Sequence, residues 1–183
     1  MNIKLVFLVI LLSQNCFAAL LLEPRLQVYQ GSLKVGTEKS DFLGQGQGLD
    51  LGYMGEHFLF GITLEKNHYR FQESFLDRNT KSYHAGGIGT FIGYHFLDRL
   101  RIQTTYINTS LEPTTQKNFR YFGQYFAYGL GLRLSKGLMF NLIQFNNTYT
   151  QKEEDETGRT NGLVSNIKSH GQSAYLSYIF AIH

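Results

Sequence analysis

The chain has 183 residues, with 17 lysines and arginines against 14 aspartates and glutamates, a formal surplus of only +3. A surplus that small gives no electrostatic footprint for a nucleic acid, so that partner class is set aside. Glycine (19), phenylalanine (15) and tyrosine (12) are abundant, proline is limited to two and tryptophan is absent, which suits strands rather than helices, and one cysteine excludes an intramolecular disulfide framework.

The N-terminus reads as a cleaved secretory signal peptide over residues 1–18. Lys4 is its one cation, an apolar run follows from Leu5 to Leu12, and Ser13-Gln14-Asn15 breaks it. Cys16-Phe17-Ala18 then places small residues at the −3 and −1 positions of a cut after Ala18. The run is shorter than the ~20 apolar residues of a spanning helix. The residues ahead of Cys16 lack the small pair expected before a lipidated cysteine, so a lipoprotein reading is rejected. Removing 18 of the 183 residues leaves 165, without a cysteine and, once Lys4 is gone, with a formal charge of +2. Residues 19–183 are expected to form one domain.

Segments of about ten residues with period-two alternation then recur along this domain, the weak per-segment pattern of a membrane barrel. The first, Leu26 to Val35, alternates too loosely to assign an inward face. From Gly46 to Met54, Gln47, Leu49, Leu51 and Tyr53 oppose Gly46, Gly48, Asp50 and Gly52. Phe58, Phe60, Ile62 and Leu64 oppose Leu59, Gly61, Thr63 and Glu65. Ile88, Thr90, Ile92 and Tyr94 oppose Gly87, Gly89, Phe91 and Gly93. Leu100, Ile102, Thr104 and Tyr106 oppose Arg101, Gln103 and Thr105. The clearest segment runs from Arg120 to Leu134, with Phe122, Gln124, Phe126, Tyr128, Leu130, Leu132 and Leu134 on one face and Tyr121, Gly123, Tyr125, Ala127, Gly129, Gly131 and Arg133 on the other. Leu138 to Tyr149 leaves its inward face open. The last segment sets Ala174, Leu176, Tyr178 and Phe180 against Ser173, Tyr175, Ser177 and Ile179. Large apolar residues on one face, with glycine and polar groups on the other, predict lipid outside and a polar lumen inside.

The connections alternate in length. Gly36–Gln45, Tyr69–Ser82, Thr109–Asn118 and Gln151–Gly162 are long and polar, while Gly55–His57, His95–Arg99 and Ser135–Gly137 are short. No apolar stretch after residue 22 is long enough for a spanning helix, so a membrane-crossing chain of this kind must close into a barrel. The expected fold class is all-β: a transmembrane up-and-down antiparallel barrel of eight strands, with three short periplasmic turns and four long extracellular loops.

The units Leu51-Gly52-Tyr53 through Phe60-Gly61-Ile62, Phe91-Ile92-Gly93-Tyr94-His95-Phe96 through Ile102, and the closing Leu176-Ser177-Tyr178-Ile179-Phe180 carry a resemblance. Over the whole of residues 19–183 the chain resembles the small eight-stranded outer-membrane barrels of the OmpA transmembrane-domain and OmpX type. The resemblance implies a place in the bacterial outer membrane, contact with outer-membrane lipid and lipopolysaccharide, and insertion by the barrel-assembly machinery. Leu176, Tyr178 and Phe180 look like the aromatic signal that this machinery reads.

An eight-stranded barrel is just wide enough to be filled by side chains. Asp50, Glu65, Arg101 and Arg133 are the charges of inward parity, and they are predicted to form an ion-pair network that closes the lumen, because isolated buried charges are costly. Tyr53, Phe58, Tyr94, Phe96, Tyr178 and Phe180 are predicted to ring the periplasmic interface, and Tyr69, Phe71, Tyr106 and Tyr149 the other. Lys152-Glu153-Glu154-Asp155-Glu156 lacks the spacing of a calcium loop and reads as a solvated tip. His170 and Ser173 are the nearest base and nucleophile, with His84 as another possible base, but three residues apart His170 and Ser173 face opposite sides of a strand. No catalytic, cofactor or metal residues are therefore assigned. The functional expectation is a structural or surface-interaction barrel acting through its extracellular loops on a surface ligand. The alternatives are a narrow channel for ions or small apolar solutes and a lipid A-modifying enzyme.

Overall fold

A computed structural model describes residues 19–72, 81–96, 99–114, 119–154 and 160–182. The expected signal segment lies outside them. Nine strand segments follow one another: β1 (Ala19–Val35), β2 (Glu38–Met54), β3 (Phe58–Phe71), β4 (Ser82–Phe96), β5 (Leu100–Pro113), β6 (Phe119–Arg133), β7 (Leu138–Glu154), β8 (Thr160–Tyr178) and β9 (Phe180–Ile182). Each pairs antiparallel with the next up to β8. β8 and β9 are one strand interrupted at Ile179, whose N–H donates to the Gly137 carbonyl at 2.7 Å. They meet β1 in a single register, Arg25 opposite Ser177 and Leu22 opposite Phe180. The other edge of β1 pairs with β2 over its whole length. The sheet therefore closes into an eight-stranded barrel without a free edge.

The strands are longer than a bilayer requires. Setting aside the three-residue β9, they run from 14 residues in β3 to 19 in β8, against ~9–11 for a tilted membrane strand. The excess lies at the end away from the short turns, and side-chain chemistry marks where it begins. On β6 the exposed residues are apolar from Leu134 through Leu132, Leu130 and Tyr128 to Phe126, and then polar at Gln124 and Arg120. On β3, Phe58, Phe60, Ile62 and Leu64 give way to Lys66, His68 and Arg70. On the last strand, Phe180, Tyr178 and Leu176 give way to Gln172, His170 and Lys168. Eight residues of tilted strand make this apolar belt about 20 Å high before side-chain reach is counted.

Above the belt the interior changes as well. Tyr29, Phe42, Tyr69, Phe71, Tyr83, Tyr125, Phe145 and Tyr149 are buried in one cluster within the barrel. Tyr29 and Tyr69 meet edge to face with centroids 5.5 Å apart, and Phe71 and Tyr83 at 5.3 Å. The expectation of a lumen lined throughout by glycine and polar groups is thus corrected. Where the wall faces water, its outside is polar and its inside apolar, as in a soluble barrel. Where it faces lipid, its outside is apolar, and its inside carries buried polar and charged groups above an apolar layer at the turn end.

The same inversion explains why the first and seventh strands could not be oriented from sequence. In β1 the apolar residues lie outward at Leu26 and Val28 and then inward at Tyr29 and Leu33; in β7 they lie outward at Leu142 and inward at Phe145 and Tyr149. It also corrects the second aromatic ring. Tyr69, Phe71 and Tyr149 are interior residues, and only Tyr106 of that set faces out, in the same apolar belt as Phe126 and Tyr128.

One long loop is also corrected. The first connection is the two residues Gly36 and Thr37, with Gly36 at φ 61°. A tight hairpin turn of this kind needs positive φ, which glycine adopts without steric cost. Residues 38–45 looked like a loop because their outward positions, Asp41 and Gln45 among them, are solvated rather than lipid-facing.

Candidate functional site: the closed lumen and the outer wall

The middle of the barrel, between the aromatic cluster and the turns, holds the buried charges. β1 contributes two of them, Glu23 and Arg25, on the inward face that alternates with outward Leu22, Pro24 and Leu26. Arg101 on β5, fully buried, donates to both oxygens of the Glu23 carboxylate, at 2.6 and 2.7 Å, and to Asn141 Oδ1 at 2.8 Å. The Ser177 hydroxyl donates to the same carboxylate. This planar fork is the strongest geometry available to an arginine–carboxylate pair.

Arg25 builds the second centre. It forms ion pairs with Asp50 of β2 and Glu65 of β3 and donates to Thr63 Oγ1 at 2.9 Å. Gln103 Nε2 donates to the other Asp50 oxygen at 3.3 Å. Asn67 Oδ1 accepts from Gln27 Nε2 at 3.0 Å and from the Tyr29 hydroxyl at 3.1 Å, which links this layer to the aromatic cluster. On the turn side, Leu21, Leu59, Phe91, Met139 and Ile179 form an apolar floor. The described lumen is therefore filled in three layers: apolar, ionic and aromatic.

Of the charges singled out in the sequence, Asp50 and Glu65 meet around Arg25, and Arg101 anchors the neighbouring pair. Arg133 is half-buried and takes no part in either ion pair. The residues missed were Glu23 and Arg25. Their signal was present, since Leu20, Leu22, Pro24, Leu26 and Val28 alternate with Leu21, Glu23, Arg25, Gln27 and Tyr29, a strand that starts seven residues before Leu26.

The Gly44-Gln45-Gly46-Gln47-Gly48 run of β2 has a specific use. Its three glycines face inward, and a Cβ at each would collide with the Tyr69 ring, the Asn67 amide and the Arg25 guanidinium respectively. β2 is left bare so that its neighbours can fill the lumen. Gly48→Val is expected to displace Arg25 from Asp50 and Glu65 and to destabilise the barrel by about 1–3 kcal/mol, the usual range for overpacking. Urea unfolding in lipid vesicles measures it, and a wild-type midpoint would argue against the steric account.

On the outer wall, Tyr53, Phe58, Tyr94, Phe96, Tyr178 and Phe180 all lie toward the turn end and face outward. Phe58 and Tyr94 meet at 4.8 Å, Tyr94 and Phe96 at 4.6 Å, and Tyr178 and Phe180 at 4.7 Å. Leu176, Tyr178 and Phe180 share the outward face of the last strand. His170 is exposed while Ser173 is buried in the lumen, so the two stand on opposite sides of the wall. His170 Nε2 instead lies 3.3 Å from Ser32 Oγ, which is buried beneath it and closed to a substrate. Asp155 and Glu156 of the acidic run lie outside the described residues. Among the described residues no three or more histidines, cysteines and carboxylates gather into a metal cluster.

Closure of the sheet, an apolar exterior confined to one band and polar walls beyond it together make this the fold of the small outer-membrane β-barrel proteins, with the band as the surface that such a barrel presents to lipid. Among solved structures the chain is similar to Neisserial surface protein A. That match has a TM-score of 0.63 at 10% identity and covers 87% of this chain and 97% of the other. It is also similar to Ail, the attachment invasion locus protein of Yersinia pestis, with a TM-score of 0.55 at 9% identity over 88% of this chain and 99% of that one. Ail in complex with the heparin analogue sucrose octasulfate matches with a TM-score of 0.59 at 9% identity over the same shares. No protein-family model and no curated protein matches the sequence.

Proposed function

We propose that the protein resides in the bacterial outer membrane as a closed surface barrel, and that it acts by interaction at its extracellular end rather than by transport or catalysis. The filled lumen carries this reading: an ionic layer lies between two apolar ones, and its arginines and carboxylates are tied by hydrogen bonds to six of the eight strands. A conducting path would have to part these pairs, and unpaired buried charges are costly. The strand extensions above the belt form a stiff, aromatic-cored platform for the connections they carry, in keeping with a binding surface on a rigid scaffold.

The partners that fit are lipopolysaccharide around the upper edge of the belt and a surface ligand at the platform. A structural neighbour, Ail, has been solved with a heparin analogue, so a polyanionic ligand is the first class to assay. During insertion, the outward row Leu176, Tyr178 and Phe180 serves as the segment read by the barrel-assembly machinery.

Planar-bilayer recording with the purified barrel is the test. No unitary conductance is expected from the wild type, and swelling of loaded liposomes by small solutes should be absent. Reproducible conductance would replace this reading with that of a narrow channel. A change in lipid A mass on expression in cells would replace it with that of a lipid-modifying enzyme.

A further inference from the structure

We infer that the outer wall of the barrel carries a two-histidine zinc site, made by His68 of β3 and His84 of β4, just above the apolar belt. The two residues are directly opposed in the β3–β4 register, and both face outward. Directly opposed strand residues hold their Cβ atoms ~4.5–5.5 Å apart, so two imidazoles can turn toward one point.

The ring geometry fits a shared ligand. The two Nδ1 atoms are 3.4 Å apart. Two nitrogens bound to tetrahedral zinc at ~2.0–2.1 Å stand about 3.3–3.4 Å from each other. The ring centroids are 5.0 Å apart. Two imidazoles on one tetrahedral zinc place their centroids about 5.2 Å apart. In the metal-free protein this contact meets hydrogen-bond geometry, with one ring N–H directed at the other ring nitrogen, and zinc would take the place of that proton.

The surroundings define what completes the coordination. Glu112 lies in the same cross-strand row as His84, but its carboxylate is ion-paired with Arg120. Gln45 lies in that row beside His68. Among the described residues no further ligand is placed beside the pair, and the remaining positions fall to water or to an added oxygen donor. Lys66 and Arg70 flank His68 on the same exposed face, and they would draw an anionic donor, such as a phosphate or carboxylate oxygen, to those positions.

Zinc chloride titrated into the detergent-solubilised barrel, followed by calorimetry, tests the site. One equivalent should bind saturably. Binding should be lost in His68→Ala and in His84→Ala and kept in His57→Ala and His170→Ala, with heat-modifiable gel migration reporting the fold of each. No saturable uptake by the wild type, or uptake surviving either of the first two substitutions, overturns the proposal. If those variants do not fold, the wild type still decides. Zinc should shift the imidazole proton resonances of two histidines together, and histidine signals unmoved by zinc rule the site out. None of these readouts depends on the closed-lumen reading, so the two stand or fall separately.

Discussion

Arg101→Ala is expected to destabilise the barrel by about 3–5 kcal/mol, the cost of stranding a buried charge whose partner is removed. The substitution leaves Glu23 without its two-pronged donor and with only the Ser177 hydroxyl, at a position without solvent exposure. It also removes the Arg101 donor from the buried Asn141 side-chain oxygen. Equilibrium urea unfolding of the barrel in phospholipid vesicles measures the loss. The double variant Glu23→Met with Arg101→Met should recover most of it, because an apolar pair of similar volume removes both charges at once. A single variant within about 0.5 kcal/mol of wild type, the range of an ordinary surface substitution, would mean that water reaches Glu23 and that the lumen is open.

Leu130→Arg is the second substitution with a large expected effect. Leu130 faces outward at the centre of the β6 run from Phe126 to Leu134 and is 62% exposed. In water such a change would be nearly neutral. On the lipid face of a barrel, at mid-depth, it should cost about 2–4 kcal/mol, and Gln124→Arg, above the belt on the same strand, about 0–1 kcal/mol. Folding efficiency and unfolding free energy of the two variants in vesicles separate these cases. Equal effects would mean that the exposed Leu and Phe rows are not covered by acyl chains, and the membrane reading would fail with them.

The contrast between these two positions also shows what could be read in the sequence. Period-two alternation oriented β6 correctly because Phe126 to Leu134 lies wholly within the belt, where its large apolar residues face lipid and Ala127, Gly129 and Gly131 face the lumen. β1 and β7 cross the edge of the belt near Val28 and Leu142. There the apolar face passes from outside to inside within one turn of the pattern, and no single rule orients the whole strand. The aromatic residues behaved likewise. Tyr94 and Tyr178 near the turns face outward as the alternation indicated, whereas Tyr69 and Tyr149 moved to the interior because the wall around them is solvated. Asp50, Glu65 and Arg101 were visible as inward charges, but their partners were not. Arg25 pairs with Glu65 across β2, and Glu23 meets Arg101 across the barrel, contacts separated by 40 and 78 positions in the chain.

The sequence by itself determined the all-β class, the number of strands, the faces of the strands that stay within lipid and the short turns at Gly55–His57 and Ser135–Gly137. These are local consequences of the two-residue period and of glycine placement. Only the tertiary structure decided which charges pair, that three bare glycines of β2 make room for Arg25, Asn67 and Tyr69, and that the barrel rises above its belt with an aromatic core. Those features arise because the solvent outside the wall changes from hydrocarbon to water along each strand. Closure of the sheet then brings residues distant in the chain to the same height in one narrow lumen.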